Sequence, residues 1–535
     1  MQGQSKHKLS VYSLTTALLV VGIVVLANVV GANLFGRLDL TDGRIYSLSD
    51  ASKKIVAGLE DDFLVKAYFS ANLPAPYNGN ASYLEDLLAD YRTYGKGRFK
   101  YQFIDPGDDA KLEEEAQKYR IPPVQVQVVE QDQFQAKKVY MGLVFLYKDR
   151  QEILPVIDNI TGLEYDITSN IKKLASDTQD LPAVGFLSGH DEPGMNELQT
   201  VQQVFEKQYR MRPVSLAGGA SVPDDIQVLL ITSPRRDLTQ WERFAVDQFI
   251  MKGGKVAFLI DKVDVNLQYQ AAYPIQASFD DWTQNYGFKV NDNLVGDLQN
   301  PGILSIQQQE GFFRMVSQVP YPLIPSFRNF DRTNVMVKDL ERVSFYFVST
   351  IDTSVAREKG LRAEALIHSS PKTMLQERTY DVNPLKQWTP EQFDKGQQVV
   401  AAVIQGSFTS AFKGKPVPAA SDTGIAVAPD LRSPRLDQSP DSRIIVIGDG
   451  EFFVDSKGGG DRDNLLFFQN MVDWLAQDEA LITIRSREVT DRPLKPLSEP
   501  GKRFVKYANM VGSPLVVVLL GIAVWQARRR RKIDI

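Results

Sequence analysis

Four short segments constrain this chain most. "PAVGFLSGH", "DIQVLLITSP", "KVAFLID" and "SRIIVIGDGEFF" place apolar residues at consecutive positions rather than alternating ones. A strand with that pattern must be covered on both faces, the condition of a central strand in a parallel sheet. Helical stretches stand between them: one from about Met195 to Tyr209, and "LTQWERFAVDQFIMKGG". The strongly apolar "DNLLFFQNMVDWLAQD" comes after the last strand. Strands alternating with helices require a parallel α/β sheet.

The expected fold class is therefore α/β. A Rossmann-like or flavodoxin-like parallel-sheet domain is expected over residues 181–264 and 441–485. A large insertion, 265–440, holds mixed short strands and a Ser/Pro/Ala-rich stretch from Lys413 to Pro440 with the character of a flexible loop. Residues 37–176 form a separate unit. Asp50 or Ser49 is placed to cap a helix running through Ile55 and Leu59, and the β-rich "FLVKAYFS" comes next. The succession then runs "YLEDLLADYRTYG", "RFKYQFIDP", "DDAKLEEEAQKYR", "VQVQVVE", and the pair "KKVYMGLVFLYKD" and "QEILPVID". This β-α-β-α-β-β order is thioredoxin-like. The chain has no cysteine, so dithiol chemistry, a thiolate nucleophile and a disulfide framework are all excluded.

Two apolar runs stand at the ends. Residues 11–35 contain "TALLVVGIVVLANVVGANLF", and residues 510–527 read "MVGSPLVVVLLGIAVWQA". About twenty apolar residues let a helix cross the hydrocarbon core of a bilayer, so both are expected to be transmembrane helices. A cleaved signal peptide competes for the first run, but its apolar part is unusually long and no convincing A-x-A site comes after it. Residues 528–535 form a basic tail led by four arginines and a lysine, and Lys6 and Lys8 flank the first run. Positive flanks mark the cytoplasmic side, so both termini are expected inside, with the domains outside and a linker at 486–509. A net charge of −5 over 535 residues gives no electrostatic footprint for nucleic acid.

In a fold of this class, chemistry belongs at the C-terminal ends of the strands. No G-x-x-x-x-G-K-[ST] phosphate loop is present. "MKGGKVAF" comes near with Gly253, Gly254 and Lys255, yet Val256 replaces the hydroxyl that would hold magnesium, and an ordinary helix-to-strand turn accounts for it. "IGDGEFF" supplies Gly448 and Gly450 of a dinucleotide fingerprint, while Phe453 fills the third glycine position. "DSKGGGDRDN" groups Asp455, Asp461 and Asp463 without the spacing of a calcium loop, and reads as a solvated loop. "GFLSGHDEPG" sets His190, Asp191 and Glu192 in a row after Ser188. A nucleophile elbow needs glycines where Phe186 and His190 stand. Zinc needs three or four ligands, and His368 is the other histidine outside the terminal segments. The structural alternative is a turn: Gly189 allows a sharp exit, and Asp191 or Glu192 caps the next helix. A third reading is ligand binding without chemistry at the C-terminal edge of the sheet. The candidates there are His190, Asp191, Glu192, Arg235, Arg236, Asp261, Asp449 and Glu451. No catalytic residue, metal or cofactor is expected.

In this order the segments resemble the auxiliary subunit of gliding-motility-type ABC transporters, the Gld-type G-subunit family. The resemblance is carried by "LDLTDGRIYSLSDASKKI", "FIDP", "ITGLEYDITSNIKKL", "GFLSGHDEP", "LLITSPRRDLTQWE", "GGKVAFLID", "YGFKVNDNLVGD", "VIGDGEFF" and "FFQNMVDWLAQDEALITIRSR". It implies a membrane-anchored, extracytoplasmic, non-enzymatic partner of a separate ABC permease and ATPase in the bacterial inner membrane. Such a protein would handle or gate a substrate. Two other classes remain open: an envelope hydrolase or metal-dependent enzyme using His190 with Asp191, Glu192, Asp449 or Glu451, and a scaffold that binds envelope polymers or partner proteins through the long insertion.

Overall fold

A computed structural model describes residues 47–476, apart from 108, 131–132, 158–159, 161, 176–180, 207, 311–312, 339 and 420–434, together with positions 482, 484, 506, 521–522 and 525–526. The chain divides into two compact units, Met1–Glu488 and Val489–Ile535, and every sheet lies in the first.

Ser49 opens the first described helix, α1 (Asp50–Ala57), its hydroxyl accepting from the Ser52 amide at 3.1 Å. Beyond it come β1 (Phe63–Phe69), α2 (Asn80–Tyr94), β2 (Phe99–Ile104), α3 (Ala110–Lys118), β3 (Val124–Glu130) and β4 (Gln133–Val139). β5 (Met141–Tyr147), β6 (Arg150–Leu154) and α4 (Leu163–Ala175) complete the group. Four strands form one sheet in the order β2-β1-β5-β6, with β1 parallel to β2 and antiparallel to β5. Phe63 and Phe99 stack at 5.8 Å in its core. The buried Glu164 of α4 accepts from the Ser49 amide at 2.8 Å and the Ser52 hydroxyl at 2.6 Å, locking α1 to α4. β3 does not join the sheet; it pairs with β4 in a separate hairpin. Its sequence alternates valine with glutamine, so only one of its faces suits a core.

The second group opens with β7 (Ala183–Ser188), α5 (Gln199–Phe205), β8 (Arg210–Ser215), β9 (Ile226–Thr232), α6 (Gln240–Met251) and β10 (Lys255–Leu259). After a long excursion come β11 (Asn329–Phe330), β12 (Arg362–His368), β13 (Val399–Thr409), β14 (Gln438–Ile447) and α7 (Arg462–Leu475). These strands make a single eight-stranded sheet, ordered β11-β12-β13-β14-β10-β9-β7-β8. From β14 to β8 every neighbouring pair is parallel; β11, β12 and β13 extend the sheet antiparallel. β7, β9 and β10 are buried along nearly their whole length, as consecutive apolar residues demand. Each fully buried Leu or Ile of this kind stabilises by roughly 1.5–3 kcal/mol. Asp247 of α6, fully buried, accepts from the Tyr286 hydroxyl at 2.6 Å, the Ser410 hydroxyl at 2.7 Å and the Ala411 amide at 2.8 Å, pinning the excursion to the sheet.

The parallel half, β8-β7-β9-β10-β14, has the strand order 2-1-3-4-5. In that order the winding reverses between the first and third strands, and the loops at their C-terminal ends diverge to leave a crevice.

The expectation of two flanking transmembrane helices is corrected. Among the described residues no helix is long and apolar enough to cross a membrane. The longest, α2, has 15 residues; at about 1.5 Å each it reaches roughly 22 Å, short of a hydrocarbon core of about 30 Å. The runs at 11–35 and 510–527 lie outside the described residues, save positions 521–522 and 525–526. The chain is mixed α/β.

Candidate functional site

At the reversal point the chain leaves β7 through Gly189, at φ 124°. A residue with a side chain is strained in that conformation, so the sharp exit requires glycine. His190 then turns inward and is 5% exposed. Its Nδ1 stands 3.1 Å from Glu192 Oε1 and its Nε2 stands 3.0 Å from Glu242 Oε2. Glu192 also accepts from the His190 amide at 2.6 Å. Two carboxylates facing both ring nitrogens favour the doubly protonated ring. Hydrogen bonds from Glu192, then Glu242, outweigh burial and push the imidazole up to about 9.

Glu242 is fixed by its own helix. Thr239 and Glu242 form a capping box at the start of α6, with the Thr239 amide donating to Glu242 Oε2 at 2.8 Å. Burial alone would raise this carboxyl, but His190 and Thr239 together hold it below the usual range. The same oxygen thus serves the helix cap and the histidine.

The loop after β9 is sewn to the loop after β7. The His190 carbonyl accepts from the Arg235 amide at 2.8 Å and the Arg236 amide at 3.3 Å. Asp191, at φ 64°, pairs with Arg236 Nε at 2.7 Å on the exposed rim. Arg235 reaches across to Glu451 at 2.8 Å and also binds Asp264, while Lys457 holds the other oxygen of Glu451 at 2.7 Å. Beneath this bridge lie Asp261, 6% exposed, and Asp449, fully buried. Asp261 accepts from the Ser233 hydroxyl and, at 3.0 Å, from the Gly450 amide. Asp449 accepts from the Tyr346 amide at 2.5 Å and the Glu451 amide at 2.7 Å. Burial, with Glu451 close by, pushes Asp261 up to about 7; burial and Asp261 push Asp449 well above the carboxylate range.

All eight candidate residues therefore meet at the C-terminal edge of the parallel strands, joined by hydrogen bonds or by adjacency. Sequence reasoning missed Glu242, Ser233, Asp264 and Lys457. Thr239-x-x-Glu242 ahead of an apolar helix was the available signal for Glu242. The helix-capping expectation for Asp191 and Glu192 gives way, because Arg236 and His190 engage them. Asp455 caps α5 instead, accepting from the Gln199 amide at 2.8 Å and the Thr200 amide at 3.2 Å. Asp461 caps α7 through the Asp463 amide at 2.9 Å and pairs with Arg342 at 2.7 Å. Beside the clamp opens a recess of about 270 Å³, lined by Ser188, Gly189, Asp191, Glu192, Pro213 and Arg236 among others.

The glycines of "IGDGEFF" serve packing. A Cβ on Gly448 would stand 2.0 Å from the Ser349 carbonyl oxygen, and one on Gly450 would stand 2.5 Å from that of Leu259.

Residues 42–146 match a domain of unknown function. An uncharacterized protein of Borreliella burgdorferi is 23% identical over 502 residues, covering 92% of this chain and 94% of that protein. Among solved structures, the mmIFT52 N-terminal domain overlays 55% of this chain and 97% of its own length at 10% identity, with a TM-score of 0.32, too slight a likeness to support an inference. Residues 181–477, more than half the chain, match the family model described as "ABC-type uncharacterized transport system". The chain belongs to this ABC transporter auxiliary family.

Proposed function

We propose that this chain is a non-catalytic auxiliary subunit, of the gliding-motility G-subunit kind, that receives or gates a substrate for a separate ABC permease and ATPase in the cell envelope. The substrate contact is the recess at the reversal point of the parallel sheet, where Ser188, Asp191 and Arg236 offer polar groups at its rim. One observation carries the reading. His190, the residue best suited to act as a general base, has a carboxylate at each ring nitrogen. A base must be deprotonated and within reach of its substrate; this imidazolium is neither. The buried acids do not replace it, since Asp261 and Asp449 are sealed beneath the Arg235–Glu451 bridge. What remains is a rigid, charged rim around a recess, suited to binding. The serial motifs that resemble the gliding-motility subunits support the finer assignment.

Purification of the tagged full-length chain from the envelope of cells that make it, in mild detergent, tests this. An ABC ATPase and a permease in fixed ratio are the expected companions. Recovery of the chain without either overturns the assignment.

A further inference from the structure

The excursion between β10 and β14 carries a long antiparallel arm, Pro301–Glu310 against Phe313–Phe327, with nine residue pairs in continuous register from Gly302–Tyr321 to Glu310–Phe313 and Pro301–Pro325 beyond a register shift. Val343–Ser344 pairs with the second strand near its base, so Pro301–Glu310 is the edge of this small sheet among the described residues. At about 3.4 Å per residue that free edge is roughly 30 Å long. A two-stranded hairpin is marginal alone in water, and a bare edge is a template for another strand.

Proteins guard such edges with charge, and the β3–β4 hairpin does so. β4 carries Lys137, donating to the Asn72 carbonyl at 2.8 Å, and Lys138, paired with Glu113 at 2.5 Å. In the arm the charges are confined to the tip, Glu310 and Arg314, and residues 301–309 and 315–327 contain none. Its outward face presents Ile303 and Val316, 62% and 65% exposed.

We propose that this edge pairs with the same edge of a second copy of the chain, joining two arms into a four-stranded antiparallel sheet. A two-fold contact requires a strand complementary to itself. Centred on Ser305, antiparallel self-pairing sets position 304 opposite 306 twice, matching Leu304 with Ile306. Glu310, the strand's one charge, falls opposite Asn300 rather than its own counterpart. The strand therefore meets its copy without like-charge conflict, and apolar pairs flank the axis.

Because the chain has no cysteine, Ser305→Cys places a single thiol on the axis. Directly opposed Cβ atoms lie about 4.5–5.5 Å apart, within reach of a short thiol crosslinker. With the purified full-length protein, Ser305→Cys should crosslink most of the chain to dimer, at least fivefold more than Ser82→Cys on the exposed surface of α2. Ser305→Lys sets like charges face to face across the axis but alters an exposed position of the single chain. It should convert dimer to monomer in sedimentation velocity with an unchanged melting temperature. A wild-type monomer at micromolar concentration overturns the pairing. So does crosslinking in cells to a different protein, or equal crosslinking from both cysteine variants.

Discussion

His190 sits where a catalytic base would be expected, yet its environment makes it a cation in a clamp. His190→Ala leaves Glu192 and Glu242 facing each other without a positive charge in a site 5% exposed for the histidine. Removing one partner of a buried pair costs about 3–5 kcal/mol, and chemical denaturation of the variant should read a loss of that size. Double replacement by His190→Leu with Glu242→Gln should recover part of it, since fewer carboxylates are stranded. The row His190, Asp191, Glu192 was legible as an unusual loop. Its partners were not: Glu242 lies 52 residues away and meets the ring only once β7 and α6 are folded. The capping box marks Glu242 as the start of a helix but gives no hint of what else its carboxylate holds.

At the scale of elements, strand ends and helix starts hold the edge together through groups from distant segments. Asp455 caps α5 across 256 residues of sequence, where composition suggested a solvated loop. Asp455→Ala should destabilise by about 1 kcal/mol, as loss of a cap does, and hydrogen exchange should quicken at the first turn of α5. Gly450→Ala sets a methyl against the backbone of Leu259 and Ser233, at 2.5 and 2.6 Å. Overpacking of that kind costs about 1–3 kcal/mol, measurable by denaturant unfolding. The two glycines were visible as part of a nucleotide-like motif. Their actual duty, letting neighbouring backbones approach, is invisible until the facing segments are placed. The β3–β4 hairpin was similarly obscure, because an alternating Val/Gln strand suits either a sheet or an arm.

At the scale of the molecule, the consecutive apolar runs made the parallel strands legible, since such a strand has no exposed face to reveal. The antiparallel extension was not legible. β12 and β13 lie within a long excursion, and only their pairing onto β14 makes them part of the same sheet. The buried charges at the edge also give the whole fold a pH signature. His190 is raised from 6.5 to about 9, so its contribution is complete below about pH 6.5 and is lost as pH rises through 9. Asp261, raised from 3.8 to about 7, acts in the same direction: folding favours its protonated form, and that contribution is lost as pH rises through 7. Thermal melting should therefore fall between about pH 4 and pH 9, Asp261 acting up to about pH 7 and His190 from about pH 6.5 to 9, and His190→Gln should flatten the upper part of that slope.

The claim that this edge binds rather than catalyses rests on the charge state of one ring. The chain has three histidines, so the His190 imidazole can be assigned and titrated by NMR in the folded full-length protein. Both ring nitrogens should be protonated at about pH 7, with a midpoint near 9. A neutral ring at about pH 7, with a midpoint below that, would contradict the clamp and return His190 to the role of a base.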